Sequence, residues 1–485
     1  MNDKLASARS YERKYLENFT ADNQKDRPLF HATGTVGWIN DPNGFSLYRG
    51  KYHLFYQYYP FDTHWGPMYW GHSVSEDLIK WDYLPCALAP DQEFDKDGCF
   101  SGSAIELDNG KQLLMYTGVK NGYQQQCIAI GDGVDYEKVS VNPVISTDMI
   151  PEGNDLHDFR DPKLIKYGDK FYCFVVNRNA DNSGQVFVYE SHDAMEWLFN
   201  KVLDKSNNEL GVMWECPDYF QLQDKKVLIV SPQEVEGTDS GFYPGFNNFF
   251  LIGTGDKFLD FTREAIQQID FGPDFYAAQT LETADGRRVL IAWMQNWETK
   301  DFGNELHDYF GMMTLPRELT INEGHIYQNP IKELEGYYDK TISYDKVWIY
   351  EQQCLEGISG RAFDMTLEIE PKEDTDYQFS VELAKGDKHK TTIEFDSKNR
   401  IVKLDRTWSG AKYSALSTKE FRIDLNNDRR IKLRIVLDKY ALELFVNDGR
   451  QAAAMKLDTP LRDDQISFAS NSPVLMNITK HNFTL

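Results

Sequence analysis

Three acidic residues in this chain sit in short motifs that could do chemistry. Asp41 lies in Trp38-Ile39-Asn40-Asp41-Pro42, Asp161 in Phe159-Arg160-Asp161-Pro162, and Glu215 in Trp214-Glu215-Cys216-Pro217. Taken singly, Asp41 and Asp161 read as turn residues, because Asp-Pro pairs commonly start turns. Their distances from nearby turn signals say more. Asp41 stands nine residues before Gly50, Glu215 nine before Asp224, Ser101 nine before Gly110 and Asp161 seven before Gly168. If those turns belong to copies of one unit, the acids open matching strands and meet in space. Carboxylates gathered in this way raise one another's pKa and resist joint ionisation. Such an arrangement is costly unless it works. Paired carboxylates at a sugar-sized funnel suit glycoside hydrolysis, one attacking or orienting while the other protonates the leaving oxygen. No metal-ligand cluster, phosphate-cradling loop or Ser-His-Asp pattern competes, and Gly131-Asp132-Gly133 lacks the strand–helix context of a nucleotide site. Neither a metal nor a cofactor is expected.

The units that must position these residues are visible as a repeat. Residues 45–57, 104–117, 163–176, 218–230 and 279–293 each read as strand, polar turn, strand. The turns at Gly50, Gly110, Gly168, Asp224 and Gly286 are spaced by 60, 58, 56 and 62 residues. A looser strand unit lies between hairpins, as in the stretches ending at Trp81 and containing Trp197. Four strands per period, repeated five times, describe a five-bladed β-propeller. The equivalent ends of its inner strands would then ring one mouth of a central channel. A large β-sandwich with accidental spacing is the competing architecture. Beyond residue 320 the period stops, and alternating strands return from about 345, with an Asn447-Asp448-Gly449 hairpin turn. The chain therefore reads as all-β: an N-terminal extension (1–25), a five-bladed β-propeller (26–325), a linker (326–344) and a C-terminal β-sandwich (345–485).

Length and composition agree with this division. A chain of 485 residues exceeds one ordinary core. Its formal charge of −24 disfavours nucleic acid and anionic lipid as partners. A phosphorylated substrate would need a local basic pocket. The 10 Trp and 27 Tyr include candidates for sugar-stacking platforms, although most such rings are core. Six scattered cysteines without a C-x-x-C pair suit a reducing compartment. The charged N-terminus has no apolar leader core and no later run is long enough to span a membrane, so a cytoplasmic, soluble protein is expected. Oligomeric state has no signature in the sequence.

These motifs resemble glycoside hydrolase family 32, the invertases, fructan hydrolases and bacterial sucrose-6-phosphate hydrolases. WINDPNG at 38–44, FRDP at 159–162 and WECP at 214–217 resemble that family's nucleophile, stabiliser and acid/base motifs. FYQYYP (55–60), WGPMYWGHSVSEDLIKW (65–81), LAPD (88–91), FSGSA (100–104), LPREL (315–319), LDRTWSG (404–410) and ELFVNDG (443–449) extend the match. The resemblance implies a retaining β-fructofuranosidase in which Asp41 attacks the fructosyl anomeric carbon, Glu215 is acid and base, and Asp161 favours the oxocarbenium-like transition state. Retention corresponds to nucleophile and acid/base carboxyls about 5–5.5 Å apart. It also implies substrate contacts from Asn40, Gln57, Trp65, Phe100, Ser101 and Arg160, with Trp38 as a pocket wall. Asp274, Tyr276 and Trp293, from the fifth repeat, are expected to line the same site. Two positions depart from the family pattern: Tyr59 stands where Asn is common, and Tyr69 where His is frequent. Sucrose, sucrose 6-phosphate and short fructo-oligosaccharides all remain open as substrates. A non-catalytic fructan-binding protein and a fructosyltransferase are the alternatives.

Overall fold

A computed structural model describes residues 3–237, 242–300, 306–373, 375–410, 416–423 and 429–483. The repeat folds as five antiparallel four-stranded blades. Their inner strands are Gly37–Tyr48, Gly98–Glu106, Phe159–Tyr167, Met213–Leu222 and Tyr276–Glu282. Each turns directly into a second strand, respectively Lys51–Tyr59, Gln112–Lys120, Lys170–Arg178, Lys225–Gln233 and Arg288–Trp293. Four of these turns use a glycine at positive φ: Gly50, Gly110, Gly168 and Gly286. That is the backbone shape a side chain resists. Blade 4 turns instead at Gln223, φ +54°.

The second strands are apolar because both faces are covered by neighbouring blades. Val227, Leu228, Ile229 and Val230 are fully buried, as are Leu113, Leu114 and Met115. Separate apolar clusters fill the gaps between blades 2 and 3 and between blades 3 and 4. The ring is closed by a short strand, Tyr309–Phe310, that leaves blade 5 and pairs parallel with Gly37 and Trp38 of blade 1.

Two boundaries differ from the sequence reading. The outer strand of blade 5 is His325–Pro330, so the propeller runs past residue 325 and the link shortens to a 3-10 turn, Lys332–Tyr337. The second domain begins at Tyr338. The N-terminal extension is helical, Asp3–Glu17 then Ala21–Lys25, an element that the β-rich pattern of the rest concealed. The longer helix docks on the outer strand of blade 1: Arg9 Nε donates to the Cys86 carbonyl at 2.8 Å and the Cys86 N–H donates to Glu12 at 2.9 Å. Among the described residues no helix is long and apolar enough to cross a membrane.

The second domain is a sandwich built on two long strands, Tyr338–Gln353 and Gln465–Phe483, that pair with each other and run through both layers. The first part of the latter strand pairs with Gln378–Lys385 and its later part with Ala362–Pro371. Phe363, Leu367, Val381, Ile393, Leu433 and Met476 fill the space between layers.

Candidate active site

In every blade the register between the first and second strands slips at the same place. The slips fall between Ile39 and Pro42, Phe100 and Gly102, Arg160 and Lys163, Glu215 and Asp218, and Tyr276 and Gln279. A bulge bends the strand and re-aims its side chains. Here five bulges ring one end of the channel and turn side chains toward its axis. Asp161, Cys216 and Ala277 hold positive φ of 62°, 49° and 58° within them. Backbone of this kind in residues other than glycine costs of order 1–3 kcal/mol and persists where its surroundings enforce it. The register also refines the count from the turns: Glu215 is equivalent to Arg160 and Tyr276, while Asp161 is equivalent to Cys216 and Ala277. The two acids are thus offset by one strand position.

Two of the three carboxyls, those of Asp41 and Asp161, are joined through Cys216. Its backbone N–H donates to Asp161 Oδ2 at 3.0 Å, and its Sγ lies 3.6 Å from both Asp41 Oδ2 and Asp161 Oδ2. Burial holds this thiol well above its ordinary pKa, with the nearby acids adding to the shift, so it stays protonated and donates. Ser101 Oγ donates to Asp41 Oδ2 at 2.7 Å and Asn40 Nδ2 to Asp41 Oδ1 at 3.1 Å. Trp38 Nε1 in turn donates to Asn40 Oδ1 at 2.8 Å. Thr117 Oγ1 receives the Asp161 N–H at 3.0 Å, pinning that bulge.

Glu215 is held from both sides. Arg160 Nε and Nη2 each donate to Oε1 at 3.1 Å, and the Tyr276 hydroxyl donates to Oε2 at 2.6 Å. The same hydroxyl lies 3.0 Å from the Ser231 carbonyl. Burial and the charge of Glu215 keep the Tyr276 phenol well above its ordinary pKa. Burial works against the Arg160 charge, but Glu215, Asp161 and Asp158 outweigh it and hold the guanidinium protonated.

Burial, then the Glu215 charge, pushes Asp41 up to about 6, while hydrogen bonds from Ser101, Asn40 and Cys216 pull the other way. Burial also raises Asp161; Arg160 opposes this, and the charges of Glu215 and Asp41 reinforce it. Asp41 and Asp161 therefore titrate as a coupled pair.

The remaining expected residues fall into three groups. Phe100 and Trp65 flank the cluster, with Trp65 47% exposed and edge-on to Phe100 at 6.4 Å. Gln57 is buried, and its amide donates to the carbonyl of Cys99 at 3.0 Å. Trp293 is corrected to a supporting place: it is fully buried behind Trp38, ring centroids 5.9 Å apart. Asp274 is corrected outright. It is fully buried, and its carboxylate takes Arg406 of the sandwich, the Lys456 N–H at 2.7 Å and the Thr299 hydroxyl at 3.0 Å. An acid just ahead of the fifth inner strand serves the domain junction, and Tyr276 takes the channel position.

Three contributors were passed over in the sequence: Cys216, Thr117 and Asp158, the last pairing with Arg160 at 2.7 Å. Cys216 lies inside the 214–217 motif and Asp158 stands just before the 159–162 motif, so both could have been read from that placement. Thr117 lies on a second strand, with no signal to mark it.

Both domains of the chain are shared with known proteins. Residues 31–330 match the glycosyl hydrolases family 32 N-terminal domain, and residues 333–474 match the family 32 C-terminal domain. A sucrose-6-phosphate hydrolase of Zymomonas mobilis is 35% identical over 461 residues, covering 91% of this chain and 88% of that protein. The solved β-fructofuranosidase BmSUC1 of Bombyx mori superposes with a TM-score of 0.83 at 30% identity, covering 99% and 98% of the two chains. A sucrose-6-phosphate hydrolase from Lactobacillus gasseri does so with a TM-score of 0.84 at 27% identity, covering 99% and 96%. Both domains are matched in order across nearly the whole chain, and the chain belongs to glycosyl hydrolase family 32.

Proposed function

We propose that this protein is a retaining β-fructofuranosidase that removes the terminal fructosyl unit from sucrose or a closely related small fructoside, with Asp41 as nucleophile and Glu215 as acid and base. The observation that carries the assignment is the bridged cluster: Asp41 and Asp161 share Cys216, and the residue before it in that strand, Glu215, is clamped by Arg160 and Tyr276. A solved mutant of the Bombyx mori relative is in complex with sucrose, which supports a sugar in this class of site.

In this reading Asp41, oriented by Ser101 and Asn40, attacks the anomeric carbon and forms a covalent fructosyl-enzyme. Glu215, aimed by Arg160 and Tyr276, gives its proton to the departing oxygen and then takes one from the incoming water. Asp161, held by the Cys216 N–H, sets a negative charge beside the ring as positive charge develops on it. The carboxyl separation of about 5–5.5 Å that retention uses follows from these roles. All six cysteines are free, which supports work in a reducing compartment, and we place the protein in the cytoplasm.

Two substitutions test the roles. Asp41→Asn should lower sucrose turnover by about four orders of magnitude with the fold retained; substantial remaining activity would exclude it as nucleophile. Glu215→Gln should slow fructosides with poor leaving groups most. Equal slowing of all substrates would remove the proton-donor role.

A further inference from the structure

We propose that the leaving-group side of the funnel takes an uncharged sugar and turns away one carrying a phosphate, so that sucrose is preferred over sucrose 6-phosphate. This rests on the β-fructofuranosidase reading above. In antiparallel blades the inner strands begin at the funnel. The turns from second to third strand, and the connections from each outer strand to the next blade, therefore return to that same face. A phosphate on the leaving sugar would have to find its cation on these segments or in the cluster below them.

Most of the described cations there already have carboxylate partners; Lys4 of the N-terminal helix instead donates to the backbone carbonyls of Pro90 at 2.7 Å and Lys96 at 3.5 Å. Lys96 and Lys120 both meet Glu93, at 3.5 and 3.0 Å. Arg178 meets Asp155 at 3.1 Å and Asp158 at 2.8 Å. Arg160 is divided between Asp158 at 2.7 Å and Glu215 at 3.1 Å. Lys300 makes an interaction of its own, and Lys205 ends the outermost strand of blade 3, away from the axis. Connections 60–68, 139–158, 206–212, 234–248 and 269–275 contain no Lys or Arg, and all but the last, whose two acids are buried at the domain junction, add acidic residues. Freeing Arg178 for a phosphate would leave Asp155, and freeing Arg160 would leave Glu215, uncompensated beside a dianion. Like charges in that position oppose binding.

What borders the approach instead is ring surface. Trp65 is exposed, and Tyr123, 43% exposed, lies flat on His157 with centroids 4.4 Å apart. His157 Nδ1 lies 3.1 Å from the Gly122 carbonyl, which fixes the imidazole as the backing of that stack. Flat rings with polar edges suit the apolar face of a neutral hexose.

The test is fructose release by the full chain from sucrose and from sucrose 6-phosphate, measured as kcat/KM at low and at raised salt. Sucrose should be favoured by about tenfold or more at low salt. The gap should narrow as salt shortens the reach of the acidic rim to about 8 Å at physiological ionic strength. Equal or better use of sucrose 6-phosphate, or a gap indifferent to salt, overturns the inference. Cleavage of neither substrate would instead remove the β-fructofuranosidase reading, so the two failures are distinct.

Discussion

At Asp41 two demands oppose each other. A nucleophile must be ionised, yet burial and the neighbouring Glu215 charge lift this carboxyl to about 6. The donors Ser101, Asn40 and Cys216 restore part of its acidity. With Asp41 in the assigned role, kcat/KM should fall as pH drops below about 6, and the limb belongs to the coupled set because Asp161 is raised as well. Ser101→Ala removes the shortest of the three bonds and leaves burial and repulsion less opposed. A hydrogen bond to a charged group is worth about 1.5–3 kcal/mol, and about 1.4 kcal/mol corresponds to one pH unit. The acid limb should therefore move up by roughly a unit or more, so that activity at acidic pH suffers more than activity at mildly alkaline pH. Side-by-side pH profiles of kcat/KM check this; an unmoved limb would detach Ser101 from the ionisation of Asp41. At this scale the acids were legible because each stands in a distinctive motif. Asp274 was misread because a sequence position beside an inner strand does not reveal whether its side chain meets the channel or the second domain.

The elements carry a different part of the argument. The hairpin turns were readable, since a glycine at positive φ marks four of the five. The bulges were not, because a register slip leaves no residue type of its own and Asp161, Cys216 and Ala277 are not glycines. The two departures from the family pattern acquire a meaning here. Tyr59 and Tyr69 pack with Phe61, at centroid distances of 5.7 and 6.0 Å, beneath the loop that carries Trp65. Gly66 of that loop lies so close to the Tyr59 ring that a Cβ would stand 2.6 Å from it. Tyr11 of the N-terminal helix completes the group, meeting Phe61 edge-on at 5.4 Å. The helix is thus a support for the loop that carries Trp65. Tyr11→Ala should raise the KM for sucrose severalfold with little change in kcat, because aromatic pairs contribute about 0.5–1.5 kcal/mol beyond their buried area. The bonds of Arg9 and Glu12 to Cys86 should keep the helix docked. Steady-state kinetics decides it: an unchanged KM would mean that the helix supports blade 1 without reaching the loop.

For the whole molecule, the propeller and sandwich are welded by charges that no solvent reaches. His31 lies between Asp438 at 2.9 Å and Glu443 at 3.1 Å, all three side chains fully buried. Asp438 also receives the N–H groups of Leu29 and Phe30, and Glu443 receives Arg317 Nε at 2.8 Å. Arg317 Nη1 reaches on to Asp270 at 2.8 Å, and Arg406 pairs with Asp274 alongside. The period of the strands could foretell two domains but not this junction, whose members lie hundreds of residues apart. Burial opposes the charge of His31, yet its bonds to Asp438 and Glu443 outweigh that and lift it to about 9. A histidine raised in the folded state binds a proton that the unfolded chain has released by about pH 6.5. Its stabilisation is therefore complete below about 6.5 and disappears as pH climbs through about 9. Above that range two buried carboxylates face a neutral ring, and breaking a buried pair costs about 3–5 kcal/mol. The thermal midpoint should fall steeply between mildly alkaline pH and pH 10. In His31→Gln the midpoint should start lower and change less over that interval, because no proton is left to lose there. Calorimetric scans of both proteins across the range measure it. Parallel pH curves would show that the alkaline loss arises elsewhere and that His31 crosses the junction as a neutral hydrogen-bonding group.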